Sequence, residues 1–191
     1  MKFPPEILLL PIFMIADYYL TIWGAFLRES SIANHIKIDS YELNPYLKKE
    51  IDNKNLFSFK FFLQVLFHSS ILLLAGLFFG ETIFYQVLLG AYLGLYSYIL
   101  GLHTSGILKM RFIATHPKAM SGTIRTARAF NIFSAISRTF IAILPIAIIL
   151  IFSFSNFAFG VLLGITILLI QDIFWYFWRQ KQSAKASDLD S

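Results

Sequence analysis

Five stretches of this chain are apolar almost without interruption, at residues 7–27, 56–79, 82–104, 132–154 and 157–178. Each has about the 20 residues a helix needs to cross the hydrocarbon of a bilayer. The runs are continuous rather than alternating, which predicts helices and not the strands of a barrel. Very short connections at 80–81 and 155–156 join the second span to the third and the fourth to the fifth as helical hairpins. Two longer polar segments, 28–55 and 105–130, separate the remaining spans, and 182–191 is a polar, small-residue tail. The expected fold is an all-α integral membrane protein: one five-helix transmembrane bundle over residues 1–181, then a flexible tail. Within the first segment, Asn44-Pro45 reads as an N-cap followed by proline at the first helical position, opening a short helix to Ile51. The segment 105–130 is expected to be partly helical. No internal repeat is visible.

Composition supports this picture. Of 191 residues, 57% are hydrophobic and 14% charged, whereas soluble chains carry about 25% charged residues. Cysteine is absent, so disulfides, zinc–thiolate sites and cysteine nucleophiles are excluded. The net charge of +5 does not point to nucleic acid, because the basic residues lie between apolar spans. Arg28, Lys37, Lys48, Lys49 and Lys54 fall in the first connection. Lys109, Arg111, Lys118, Arg125 and Arg128 fall in the third, and Arg179, Lys181 and Lys185 in the tail. The second and fourth connections hold none. Basic loops stay in the cytoplasm and attract anionic headgroups, so the expected topology is amino terminus outside and carboxyl terminus cytoplasmic, in the cell membrane. Trp175, Tyr176 and Trp178 would anchor the inner interface. Residues 1–6 carry little charge and no cleavage site follows the first span, so that span is read as retained.

Chemistry is sought among the polar residues inside the spans. Asp17, Thr21 and Gly24 share one face of the first helix, and Lys60, Gln64 and His68 share one face of the second. A carboxylate at mid-bilayer costs several kcal/mol unless it meets a partner or water. Counted at about 1.5 Å per residue, Asp17 lies roughly 15 Å and His68 roughly 18 Å above the inner ends of their helices. Lys60 starts near 6 Å on a long stem. The two stripes are therefore expected to face each other, Asp17 meeting Gln64 or His68 and also Lys60. Two readings stay open: a proton or ion relay, and an interhelical clasp that fixes packing.

Arg138 and Asp172 lie about two turns inside the inner boundary and are expected to form a structural ion pair. Asn131, Ser134, Ala135, Arg138, Ala142 and Pro145 would turn one stripe of the fourth helix inward. The third span has two faces. Gly90, Gly94, Ser97 and Gly101 form a small-residue ridge, while Tyr85, Tyr92, Tyr96 and His103 form a polar stripe that either lines a crevice or packs. Gly160 and Gly164 give the fifth span a ridge suited to packing or oligomerisation. His35, Asp39 and Glu42 have the spacing of a divalent-ion set, but they sit in a polar loop; no metal or cofactor is expected. His116-Pro117 and the basic run 118–128 suit a headgroup or phosphate, but an ordinary positive-inside loop accounts for them better. No phosphate loop or hydrolase elbow occurs.

Asp17, Thr21 and Gly24, then Glu42-Leu43-Asn44-Pro45, then Lys60 together form a recognisable pattern. It resembles a family of small prokaryotic membrane proteins of unknown function, marked by an intramembrane D-x3-T, a following E-x-N-P and a lysine early in the next helix. The likeness covers roughly the first third of the chain; the family is shorter, and the third to fifth spans go beyond it. The resemblance implies that Asp17, Thr21, Glu42, Asn44, Pro45 and Lys60 form one connected unit at the cytoplasmic side. It implies no activity.

The function expected is binding or translocation of a proton, ion or small solute through Asp17, Lys60, Gln64 and His68. One alternative is a non-catalytic subunit or scaffold, assembling with itself or with a membrane partner. Another is a membrane enzyme acting on lipid or peptide, which would need Glu42, His103 or His116 to converge. The chain is read as leaning away from an enzyme. A transporter would leave Asp17 within reach of water; a scaffold would bury it with every partner satisfied.

Overall fold

A computed structural model describes residues 5–33, 36–37, 46–80, 82–116, 122, 124–125 and 128–187. The described residues are helical apart from short connections and a two-residue parallel pairing of Ile36–Lys37 with Ile124–Arg125, which ties the two long connecting segments together. A 3-10 turn at Pro5–Leu8 leads into α1 (Leu9–Leu27), which runs on through a π-helical turn at Arg28–Ile32. Then come α2 (Lys48–Asp52), α3 (Phe59–Phe79), α4 (Ile83–Thr115), α5 (Arg128–Phe152) and α6 (Asn156–Ser187). Five helical segments are long and apolar enough to cross a membrane: Pro5–Ser30, Phe59–Phe79, Ile83–Thr115, Ile132–Phe152 and Asn156–Trp178. Their outer faces carry exposed Phe67, Phe78, Ile141, Ile151 and Phe177. Apolar surface this continuous suits lipid and not water.

Polar residues start these helices where the apolar runs begin. Ser58 Oγ accepts from the Phe61 amide at 3.3 Å, Thr82 Oγ1 from Tyr85 at 3.5 Å, and Ser155 Oγ from Ala158 at 3.0 Å. Each satisfies an N–H that the first helical turn leaves without a partner. The helices also outrun the hydrophobic pattern. α4 continues past residue 104 to Thr115, and α6 passes the Trp175–Trp178 aromatic group to end at Ser187, because neither extension contains a proline.

α4 is the axis of the bundle. α1 packs along one side of it and α6 along the other, α5 covers α6, and α3 lies across α1 and α4. α1 and α4 run in the same direction. Glu6 meets Tyr85 at their first turns, and Leu20 and Leu27 pack with Ile107 and Met110 at their far ends. α4 and α6 are also parallel and approach closely enough that only glycine fits at the crossing. A Cβ on Gly160 would lie 2.1 Å from the Val87 carbonyl oxygen, one on Gly164 2.1 Å from that of Ala91, and one on Gly90 2.2 Å from that of Phe157. The two glycine ridges are thus filled by each other within the chain, the small-residue packing that draws helices together in lipid.

The short α2 turns back against the helix ends. Ile51 is fully buried among Tyr18, Ile22 and Ala25, with Leu47 and Phe61 around them. Tyr18 OH donates to the Asn55 carbonyl at 2.6 Å, Lys54 pairs with Glu29, and Lys60 Nζ lies 3.0 Å from Glu50 Oε1. That hydrogen bond from Lys60 holds the Glu50 carboxyl below its ordinary 4.5, outweighing burial, which acts in the opposite direction. A carboxyl depressed by folding stabilises above its unfolded value, and the contribution is lost as pH falls through the lower folded value. Hydrogen exchange of residues 48–52, corrected for the intrinsic rate, should therefore quicken below pH 4.5. Lys60 is half exposed, so the change should not exceed about fivefold, the scale of an exposed pair. Glu50→Gln should exchange fast and without this dependence.

Candidate polar seam on the fourth helix

Tyr85, Tyr92, Tyr96 and His103 recur along one edge of α4 at intervals of seven, four and seven residues, which holds them within about 40° around the axis. That edge faces α1 and α3. At one end Tyr85 OH donates to Glu6 Oε1 at 3.2 Å. Next, Tyr92 OH and His68 Nδ1 are 3.0 Å apart, with their rings edge to face. Tyr96 follows one turn on, partly buried and packed with Tyr92 against the apolar core.

The far end is the Asp17 site. Asp17 Oδ1 lies 3.1 Å from His103 Nε2, and both side chains keep 24% of their surface exposed. Thr21 Oγ1 donates to the Asp17 carbonyl at 2.8 Å and lies 3.3 Å from the same imidazole nitrogen. With its proton committed to that carbonyl, the threonine oxygen accepts from Nε2–H, which places the ring proton beside the carboxylate. Asp17 Oδ1 itself is buried and receives no hydrogen bond among the described residues. Its approach to His103 is therefore a close polar contact and not a satisfied hydrogen bond. Gln64 Oε1 and Ser69 Oγ on α3 are likewise buried with no hydrogen-bond partner among the described residues.

The structure rearranges the expected partnerships. Asp17 and Thr21 do stand together, but their shared partner is His103 of α4, and His68 meets Tyr92 instead of Asp17. Lys60 belongs to the α2 contact through Glu50 and lies over the Tyr46 ring at 5.6 Å; the folded-back segment supplies a nearer acid than Asp17. Glu42 and Asn44, with His35, Asp39 and Pro45, lie outside the described residues. Arg138 and Asp172 stand on the packed helices α5 and α6 but form no ion pair. The Arg138 Nε–H donates instead to the Ser134 carbonyl of its own helix at 3.3 Å. His116, at the exposed end of α4, stacks on Phe112 and lies 3.0 Å from Thr115 Oγ1. It is about 20 Å along the helix from His103, so these two histidines share no site.

The Asp17–His103 contact and the Glu6–Tyr85 bond were not apparent from the chain. The usable signal was that two polar stripes, Asp17–Thr21 and Tyr85–His103, lie inside otherwise apolar spans. Compared with protein families, curated proteins and solved structures, the chain gives no match.

Proposed function

We propose that this protein is a multi-pass component of the cell membrane, amino terminus outside and carboxyl terminus cytoplasmic, that binds or moves a small ion, proton or solute through the α4 seam. The orientation rests on the basic residues confined to alternate connections. Those connections lie against anionic headgroups. Asp17 is the acid that takes up the cargo, and His103 is its partner.

One observation carries this reading. The Asp17 carboxylate sits at the middle of an apolar helix against an imidazole, and its buried Oδ1 is left without a hydrogen bond. An unmet buried acceptor costs about 1–3 kcal/mol, and at Asp17 that cost falls on an ionisable group inside an apolar helix. A group held unsatisfied at that depth is available to a cargo. The test is flux of protons and alkali cations into vesicles containing the purified protein, compared with Asp17→Asn. Loss of flux in an assembled variant supports the reading. An Asp17→Asn protein that fails to assemble would instead favour a helix clasp in a non-catalytic subunit, which associates with further copies or a membrane partner.

A further inference from the structure

Resting on that reading, we infer that the cargo is a proton and that it moves to and from Asp17 along the Tyr92–Tyr96–His103 edge of α4, the Tyr85 end being closed by the apolar cluster of Leu10, Met14, Leu72 and Leu89. The separation of Tyr92 and His103 along the helix is about 17 Å, roughly half the 30 Å thickness of bilayer hydrocarbon. Each member of the line has a hydroxyl or imidazole that both donates and accepts. Neighbouring helices add further titratable groups at two of its levels: His68 at Tyr92 and Asp17 at His103. The charged groups at the inner ends of α1 and α3 are Arg28, Glu29 and Lys60, of which Glu29 is engaged with Lys54 and Lys60 with Glu50.

The chemistry of the line does not suit a metal cation. Alkali and alkaline-earth ions take about six to eight oxygens at one place, whereas these groups are strung out singly and two are imidazoles. Among the described residues, no three His, Asp or Glu side chains come together as a transition ion would need. A proton needs only one donor and one acceptor at each step. At each hop an O–H or N–H bond breaks on the donor as another forms on the acceptor, so one proton enters for each that leaves. Rotation of hydroxyls and rings then resets the line.

The interval of two turns between Tyr96 and His103 is about 10 Å and needs bridging water. The unpaired acceptors are suitably placed to hold it. α3 runs opposite to α4, so Gln64, one turn before His68, comes level with Tyr96, one turn after Tyr92. Asp17 Oδ1 lies at the next interval. Buried water is found where polar groups are otherwise unmet.

The experiment uses the full chain in vesicles of phosphatidylethanolamine and phosphatidylglycerol, with a potassium–valinomycin potential. Entrapped pyranine reports protons, and radioactive sodium is followed in parallel. The wild type should acidify the lumen and admit no sodium above protein-free vesicles. Tyr96→Phe keeps the ring and removes one relay hydroxyl, and should slow acidification about tenfold, the scale of one lost hydrogen bond. Tyr98→Phe, whose hydroxyl meets Thr139 on α5, should conduct like wild type. If Tyr96→Phe does not elute as folded protein, His68→Gln takes its place with the same expected loss. Sodium transport without acidification would overturn the proton assignment and leave the Asp17 reading standing. Wild-type acidification in both relay variants would overturn the route. Transport of neither ion, or of both equally in Asp17→Asn, would remove the underlying reading as well.

Discussion

Asp17→Asn in reconstituted vesicles is expected to lower flux at least about a hundredfold, as loss of an essential proton-handling group does, while the protein still assembles. Asparagine has nearly the same shape but neither the charge nor the exchangeable carboxyl proton. Assembly should survive because Oδ1 makes no hydrogen bond that the substitution removes. The fold depends instead on the apolar contacts of Leu10, Met14, Leu72 and Leu89 and on the glycine crossing of α4 with α6. The amide still presents an oxygen or N–H to His103. Size-exclusion elution alongside the flux assay separates lost transport from lost folding, and Asp17→Glu should restore part of the flux.

The largest expected effect on stability is at Gly160. Its added methyl would fall 2.1 Å from the Val87 carbonyl oxygen and 2.8 Å from the carbonyl carbon. Both atoms belong to the α4 backbone, so no rotamer change can relieve the clash, and the helices must separate. Overpacking of side chains alone costs about 1–3 kcal/mol; a backbone clash between two rigid helices should reach or exceed the upper figure. Gly160→Ala should therefore unfold at markedly lower denaturant in detergent, or fail to accumulate. Gly101→Ala is the control, because nothing lies within 4 Å of a Cβ there. That change should stabilise slightly, by about 0.5–1 kcal/mol, as alanine replaces glycine inside a helix.

The spans were legible because lipid imposes one rule on every residue of a crossing helix: apolar side chains and internally bonded backbone. The face of each helix was legible too. The Gly90–Gly94 and Gly160–Gly164 ridges, the tyrosine stripe and the Asp17–Thr21 pair were all visible as periodicities. Which face meets which is a different kind of information. Periodicity places a residue around its own axis and along it, and says nothing about which other helix lies alongside. Sequence neighbours suggested α3 for Asp17, whereas α1 takes its imidazole from α4, two spans further on and parallel to it. Lys60 was misassigned for a related reason. Its partner Glu50 lies on the five-residue α2, and the return of that helix against Tyr18 and Ile22 depends on one buried isoleucine. For Arg138 the nearer acceptor was the carbonyl one turn back on its own helix, a competitor that charge counting overlooks.

The pairing of Asp17 with His103 is tested most directly by cross-linking, which the absence of cysteine makes clean. Asp17→Cys with His103→Cys supplies the chain with only two thiols. A protease site inserted between residues 34 and 45 then allows the first span to be cut from the rest. With a bis-thiosulfonate linker of about 5 Å, comparable to the reach between adjoining side chains, the two fragments should stay joined after cleavage. Tyr19→Cys with His103→Cys, which puts the first thiol on the exposed face of α1, should release them. Release of the 17–103 pair together with retention of the 19–103 pair would mean that α1 turns its acid away from α4.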